Sequence, residues 1–159
     1  METLNINKAN ALTAYEQAND KGKALLSNLF GKEVFARAKF KSFEDIKTLA
    51  DAIEYLGEDD AQVKELCNTS GSKDIVAYLQ LRVIIKAING GIVTDWTDVK
   101  VYKYYPWFNA VGSNSGFSFR DCGYDYSISN VGSRLCYTSS ERATYAGKQF
   151  LEIYNQYIN

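Results

Sequence analysis

The residues best suited to making chemical contacts are aromatic. The segment YKYYPWF, residues 102 to 108, holds five rings around the chain's only proline. Tyrosine and tryptophan offer rigid faces with a polar tip, so Tyr104, Tyr105 and Trp107 are candidates for stacking on nucleobases, sugars or a partner's side chains. The alternative, which we favour as the ordinary case, is that these rings mostly cover a small sheet and leave one edge exposed.

A second candidate site lies in the segment GSRLCYTSSE. Arg134 follows a glycine-containing loop, and the hydroxyls of Ser139 and Ser140 precede a predicted helix, whose N-terminus attracts anions. A phosphate or carboxylate would suit this arrangement. The alternative that we favour assigns the hydroxyls to helix capping and pairs Arg134 with Asp121 or Asp125 across the sheet.

Catalysis is not predicted, and no catalytic residue is assigned. The chain has no histidine, which removes the usual general base, the common nucleophilic triads and the commonest metal ligand. Three carboxylates, Asp121, Asp125 and Glu141, show no spacing that fixes an acid/base pair, so we expect a solvated polar face.

The three cysteines, Cys67, Cys122 and Cys136, are expected to be reduced and mostly buried. They contain no C-x-x-C pair and, without histidine, fall short of the usual zinc sets. We therefore expect neither a metal nor a cofactor. A disulfide between Cys122 and Cys136 across a hairpin is the weaker alternative.

The charge balance argues against duplex nucleic acid as a steady partner, because 18 basic residues meet 19 acidic ones for a net charge of -1. A loose basic run from Lys21 to Lys41 could touch nucleic acid, although a solvated surface explains it better. The apolar stretches are interrupted by charges and too short to cross a bilayer. Met1 is followed by ETLNINKAN rather than by a leader, so we expect a cytoplasmic protein without membrane contact.

Residues 1–91 are predicted to form a helical part. One helix, or two joined near Asp20 to Gly22, should end at Gly31, and EVFARAKF is compatible with a short strand or an extended linker. A capped helix is predicted over Ser42 to Gly57. An acidic loop, EDDAQVKELCNTSGS, should follow, and then a central helix, KDIVAYLQLRVIIKAI, that stops at the next Asn-Gly-Gly.

Residues 92–159 are aromatic and weakly charged, with nine of the twelve tyrosines beyond residue 101. Alternation on both sides of DCG predicts a hairpin, RLCYT predicts a third antiparallel strand, and Thr138 to Glu141 resembles the capping box of a last helix. The predicted fold class is α+β: a helical N-terminal part packed, as one compact domain, with a small three-stranded antiparallel meander and a closing C-terminal helix.

Four segments carry a resemblance: AYEQANDKGKALLSNLFGKEVF, KSFEDIKTLADAIEYLG, YKYYPWF and GSRLCYTSSERATYAGKQFLEIY. In this order and spacing, the chain resembles a group of small uncharacterised proteins encoded by phages and prophages of Bacteroides-type gut bacteria. The resemblance implies an origin in a mobile element. It implies no activity, substrate or catalytic residue.

These observations favour a protein that binds a macromolecule without catalysis. The leading hypothesis is an accessory factor, in the host cytoplasm or in the virion, that binds a host or phage protein through its Tyr/Trp-rich C-terminal third. It would serve as an assembly component or as an inhibitor of a host system. The alternative is a single-stranded nucleic-acid or nucleotide binder that uses the same rings with Arg120, Arg134 and Lys103.

Overall fold

The computed structural model describes residues 8–95, 97–110, 116–126 and 134–159. Within them the chain is α+β, with helices around one two-stranded antiparallel sheet. No helix of this described part is long and apolar enough to span a membrane. The elements are α1 (Lys8–Gln17), α2 (Asp20–Phe30), α3 (Lys32–Ala36), 3₁₀ turns at Arg37–Lys39 and Phe43–Asp45, α4 (Leu49–Leu56), α5 (Ala61–Asn68), α6 (Lys73–Ile88), β1 (Lys103–Ala110), β2 (Phe117–Asp125), α7 (Ser140–Gln149) and α8 (Leu151–Ile158).

Helix α6 forms the centre of the core. Leu81, Ile84 and Ile88 are fully buried, and α4, α5 and α8 all pack against this helix. The prediction of a central helix that stops at Asn89 is confirmed. Gly90 follows with φ of 76°, a left-handed angle that glycine adopts without strain and that lets the chain leave the helix.

One buried cluster joins the front and back of the chain. Ile46 and Leu56 come from the helical front, while Tyr137, Phe150 and Tyr154 come from the last quarter, and all five belong to the same core. Helix α6 therefore has apolar cover from both ends of the sequence, which explains why nearly its whole circumference is apolar.

Strands β1 and β2 form an antiparallel ribbon that α7 covers on one face. Gly147 of α7 permits the close approach, since a Cβ there would lie 2.6 Å from Pro106 Cβ and 2.6 Å from Phe119 Cδ2. The register pairs Trp107 with Asp121 and then Phe108 with Phe119, which leaves Arg120 as a bulged residue in β2.

The predicted hairpin turn at DCG is wrong, because this segment lies inside β2 and pairs with β1. Gly123 makes room for a neighbour: a Cβ on it would lie 2.6 Å from Cε2 of the Tyr105 ring on the opposite strand. The glycine therefore serves cross-strand packing. Strand β1 instead ends at Ala110, and β2 begins at Phe117.

The predicted three-stranded meander is not confirmed, since the described residues contain two strands. RLCYT contributes a single bridge, in which Tyr137 N donates to Tyr104 O at 2.7 Å and Tyr104 N donates to Tyr137 O at 3.1 Å. On the other side of this segment, Asn89 Nδ2 donates to Cys136 O at 3.0 Å and Asn89 Oδ1 accepts from Thr138 N at 3.1 Å. A side chain thus bonds the backbone groups that a further strand would bond on this side of the segment. The predicted turn at SNVGS lies outside the described residues.

The prediction of a strand or extended linker at EVFARAKF is wrong. This segment forms α3 and a 3₁₀ turn. Phe35 is buried and its ring stacks on Tyr15 of α1 with centroids 4.1 Å apart. This long-range contact outweighs the alternating pattern, which on its own indicated an extended chain.

The acidic loop predicted after Gly57 is also wrong in part, because it contains α5. Asp60 caps this helix by accepting from Gln62 N at 2.9 Å, and Val63 is buried in the core. The cap, buried Val63, partly buried Leu66 and ion pairs from Asp60 to Lys86 and from Glu65 to Arg82 together hold this two-turn helix against α6.

The capped helix predicted over Ser42 to Gly57 is divided. The capping box of Ser42 is present, but it starts a 3₁₀ turn, and a second box formed by Thr48 and Asp51 starts α4. Gly57 ends α4 as predicted, with φ of 88°.

The closing helix is divided too, at Phe150, into α7 and α8. Its cap is Ser139, whose Oγ accepts from Arg142 N at 3.4 Å. Capping by a serine hydroxyl of this segment was predicted, whereas the capping box predicted from Thr138 to Glu141 is wrong, because the Thr138 hydroxyl accepts from Arg142 Nη1 at 2.9 Å and lies 3.3 Å from Asn89 Oδ1.

The N-terminal helices form two segments, which was one of the two predicted arrangements. Asn19 caps α2 by accepting from Gly22 N at 3.0 Å, and Gly31 ends α2. This helix buries none of its side chains, and it exposes Leu25 and Leu29. The α1–α2 arm is therefore attached mainly through α1, whose Tyr15 stacks on Phe35, while α2 contributes no buried side chain.

Candidate functional site

Four tyrosines meet on one face of the ribbon, and we call them the tyrosine patch: Tyr102, Tyr104, Tyr124 and Tyr126. The ring of Tyr102 lies 4.5 Å from that of Tyr126 and 4.9 Å from that of Tyr124, measured between centroids. Tyr104 is opposite Tyr124 in the strand register, with centroids 5.9 Å apart. Antiparallel pairing places these rings side by side because paired residues share a face.

The tyrosine patch is both exposed and fixed. Tyr124 is 59% exposed, Tyr126 47% and Tyr102 37%, whereas Tyr104 is half-buried against the core. The hydroxyls of Tyr102 and Tyr126 lie 2.6 Å apart, and this hydrogen bond raises the pKa of Tyr102 above its ordinary value. Each ring therefore holds its neighbour in one orientation.

The charged residues on the strands beside the tyrosine patch belong to the other face of the ribbon. Asp125 follows Tyr124 in β2 and is paired with Lys103, and Asp121 is paired with Trp107. Burial raises the pKa of Cys122 on β2, and the nearby carboxylates of Asp121 and Glu141 raise it further. The one cation on β1, Lys103, is buried, and its Nζ donates to Asp98 O and Val101 O at 2.7 and 2.8 Å. Its charge is directed to the backbone rather than to the surface.

The opposite face of the ribbon carries the other predicted aromatic residues. Trp107 is 53% exposed and is paired with Asp121, while Tyr105 is half-buried over Gly123. The bulged Arg120 is exposed, and its Nη1 donates to Asn109 Oδ1 at 3.4 Å. The predicted residues Tyr104, Tyr105 and Trp107 thus divide between two faces.

Arg134 does not form a joint site with Ser139 and Ser140. The two serine hydroxyls hydrogen-bond the Glu141 carboxylate at the start of α7 and, with its own backbone amide, hold the pKa of that carboxyl below its usual range. Arg134 instead lines a small cleft beside α6, which we call the cationic cleft. It pairs with neither Asp121 nor Asp125 among the described residues.

The cationic cleft has a volume of about 40 Å³, and all of its charged lining residues are cations: Arg82, Lys86 and Arg134. Its other lining residues are Gln62, Ile85, Asn89, Ile92, Val93, Thr94 and Cys136.

The basic run in the front of the chain is engaged in the fold. Lys39 Nζ pairs with Glu54 Oε2 at 2.8 Å, and Arg37 Nε donates to Tyr55 O at 3.0 Å while its guanidinium lies over the Tyr55 ring. Of these two residues only Lys39 faces an acid, so the interpretation of this run as a surface with acids opposite is supported at one position.

No cluster of three or more Cys, Asp or Glu side chains suited to a metal ion occurs in the described part of the chain. The thiols are free: Cys67 is exposed, Cys122 half-buried and Cys136 buried. Burial raises the pKa of the Cys136 thiol, whose Sγ lies 3.5 Å from Thr94 Oγ1.

Sequence reasoning missed Tyr124 and Tyr126 as surface residues, as well as Arg82 and Lys86. The two tyrosines repeat the two-residue spacing of Tyr102 and Tyr104, and that shared spacing was the available signal. Nothing local in the sequence indicated the cleft, because it forms between segments about fifty residues apart.

Comparison with protein-family models, with curated proteins and with solved structures found no match for this chain.

Proposed function

We propose that this protein binds another protein through the tyrosine patch and does so without catalysis. One observation carries the proposal: three neighbouring tyrosines are each more than a third exposed and hold one another in place. The resemblance to phage and prophage proteins supports a host or phage protein as the partner, and a role as an assembly component or as an inhibitor of a host system.

Tyrosine is well suited to such an interface. It presents a large apolar area with only two side-chain torsions to fix, and its hydroxyl tolerates water before the partner arrives. Because the rings of the tyrosine patch already pack on each other, little rotamer entropy is left to lose on binding.

Two exposed apolar residues precede the tyrosine patch in sequence. Val101 precedes Tyr102 and is 43% exposed, and Val99 is 61% exposed. Exposed apolar and aromatic side chains are characteristic of interaction sites. The partner surface is therefore expected to be apolar.

The alternative function, single-stranded nucleic-acid or nucleotide binding, is less well supported. It needs cations beside the rings, but Lys103 donates to backbone carbonyls, Arg134 lines the cationic cleft, and Arg120 is the bulged residue of β2.

The experiment is affinity capture from a lysate of the cells that encode the protein, with wild type, the double variant Tyr124→Ser/Tyr126→Ser, and the matched control Leu25→Ser. Leu25 is 60% exposed on α2, so the control removes a comparable apolar surface elsewhere. The expected result is a protein retained by wild type and by Leu25→Ser, lost by the double variant and unaffected by nuclease. Loss after nuclease treatment would favour the nucleic-acid alternative, and equal retention by the double variant would contradict the proposal.

A further inference from the structure

The outer edge of β2 is the side of this strand that faces away from β1, and no third strand pairs with it in the described part of the chain. Tyr104 N and O bond Tyr137, so the Tyr104–Tyr124 pair exchanges no hydrogen bonds within the ribbon. The N–H and C=O of Tyr124 therefore point outward. By the same alternation, the N–H groups of Cys122 and Tyr126 point outward too. A row of such groups is where another chain can add a strand.

Two of these outward amides are held by aspartates. Cys122 N donates to Oδ1 of Asp121 at 2.8 Å, and Tyr126 N donates to Oδ1 of Asp125 at 2.7 Å. Each carboxylate belongs to the residue that precedes the amide it holds, and both aspartates are exposed. A side chain bonded to the backbone in this way competes with a strand for the same donor. The donors on either side of Tyr124 are thus occupied.

The start of β2 is closed by helix α8. Phe117 N donates to Asn155 Oδ1 at 2.6 Å, and Asn155 Nδ2 donates to Phe117 O at 3.2 Å. One amide side chain therefore bonds both backbone groups that a neighbouring strand would bond at this position. An added strand could reach only the part of β2 beyond the bulge, where the two aspartates lie.

The outer edge of β1 is closed by other means. Tyr137 bonds both backbone groups of Tyr104, and the next outward position is Pro106, which has no N–H to donate. Between the two aspartate-bound amides of β2, the outward N–H and C=O of Tyr124 have no bonding partner among the described residues. The protection of the ribbon edges is therefore complete except at this one position of the segment from Cys122 to Tyr126.

We infer that Asp121 and Asp125 guard the outer edge of β2 against pairing with β2 of a second copy of the chain. Two copies related by a two-fold axis at Tyr124 would pair antiparallel, with each Cys122 opposite Tyr126 of the other copy. In this register the amides of Cys122 and Tyr126 are the donors that the new strand pair needs, and the aspartates hold both of them. The guard thus keeps the ribbon two-stranded. This inference does not depend on the proposed function, because it concerns the strand edge and not the ring faces.

The test is sedimentation equilibrium of the full chain as wild type, as Asp121→Ala/Asp125→Ala and as Asp121→Asn/Asp125→Asn. The alanine variant frees both amides, so it is expected to self-associate at least about 10-fold more tightly than wild type. Asparagine removes the same two charges but keeps an oxygen that accepts from the same amides, so this variant should associate as wild type does. Equal association of the alanine and asparagine variants would overturn the inference, whether both match wild type or both exceed it.

Both aspartates are exposed, so neither double variant should unfold the protein, and thermal melts check this. If the double alanine variant does not fold, Asp121→Ala with the control Asp121→Asn carries the same test on one amide. Tighter association of the alanine form is again the expected result, and equal association of the two forms would contradict the inference.

Tyr124→Pro shows whether the association uses the outer edge of β2. Proline removes the outward N–H at the centre of the strand pair, and pairing with β1 does not use that donor. Added to the alanine variant, Tyr124→Pro should return the association to the wild-type level. Tyr124→Val, which also removes the ring but keeps the N–H, is the matched control and should leave the variant associated. Association that persists with proline would show that another surface is responsible and would contradict the inference.

Hydrogen exchange gives a readout at the edge itself. The Tyr124 amide should exchange fast in wild type, because its N–H points outward without a partner, and it should become protected in the alanine variant at concentrations where that variant associates. Fast exchange of this amide in the associated alanine variant would contradict the inference.

Discussion

At the scale of single residues, the core contains one polar pair that stabilises the fold only when both members are present. Tyr137 and Tyr154 are buried, and their hydroxyl oxygens lie 2.9 Å apart. Changing either to phenylalanine leaves the other hydroxyl without this partner, which costs about 1–3 kcal/mol, whereas changing both leaves no hydroxyl unpaired.

The double-mutant cycle of Tyr137→Phe and Tyr154→Phe should therefore be non-additive. Urea denaturation should show the double variant less destabilised than the sum of the two single variants. Tyr126→Phe on the surface serves as the control and should change stability by less than about 0.5 kcal/mol. Additive single effects would show that the two hydroxyls do not interact.

The same pair makes the fold sensitive to alkali. Burial raises the pKa of Tyr137 and that of Tyr154, so the folded state keeps protons that an unfolded tyrosine loses near its ordinary pKa of 10.0. This contribution to stability is fully present below pH 10 and is lost as the pH rises above it. Urea midpoints should fall above pH 10 in wild type and fall less in the Tyr137→Phe/Tyr154→Phe variant, and a parallel fall in both would contradict this account.

At the scale of elements, the side chain of Asn89 substitutes for a strand. It joins the end of α6 to residues 136–138 by pairing with Cys136 O and Thr138 N. Asn89→Ala should cost about 1–3 kcal/mol in denaturation experiments, because it leaves two backbone groups unpaired. Asn89→Asp keeps the acceptor for Thr138 N but faces Cys136 O with an oxygen, so it should not recover the loss. Asn68→Ala, at an exposed position, is the control. Unchanged stability in Asn89→Ala would contradict the role of these hydrogen bonds in joining the two segments.

The elements also show which parts of the fold the sequence could predict. Signals that act within one turn were reliable: Gly31, Gly57 and Asn89 end their helices where predicted. Strand pairing was not, because Pro106 weakens the strand signal of β1 and Gly123 imitates a turn until the opposite Tyr105 is known. Pairing depends on contacts distant in sequence, which local patterns do not contain.

The candidate site was predictable to a similar extent. Composition indicated the aromatic segment but not which of its rings are exposed, and Trp107 is one of them. The sequence did not show that Tyr104 and Trp107 face opposite sides of the ribbon, or that Tyr124 completes the patch, because both facts depend on the register. Arg134 and Arg82 line the same cleft only once the chain has folded.

At the scale of the whole molecule, stability should decrease from the core to the α1–α2 arm. The residues of α6 from Leu79 to Ile88 are mostly buried, whereas α2 buries none. Hydrogen exchange should find α6 amides opening only with global unfolding and α2 amides exchanging by local opening with far lower protection. Equal protection in both helices would contradict the described packing, and fast exchange in α6 would contradict the fold.

The central claim is that the tyrosine patch is a protein-binding surface, and the most direct test is the affinity of the captured partner for defined variants across a range of salt concentrations. Interface tyrosines of this kind contribute about 2 kcal/mol or more, so Tyr124→Ser should weaken binding about 30-fold while Leu25→Ser leaves it unchanged. Raising the salt from 50 to 500 mM should change the wild-type affinity by less than about 10-fold, because the contact is mainly apolar. Wild-type affinity in Tyr124→Ser, or a steep loss with salt of the kind that phosphate contacts produce, would contradict the claim.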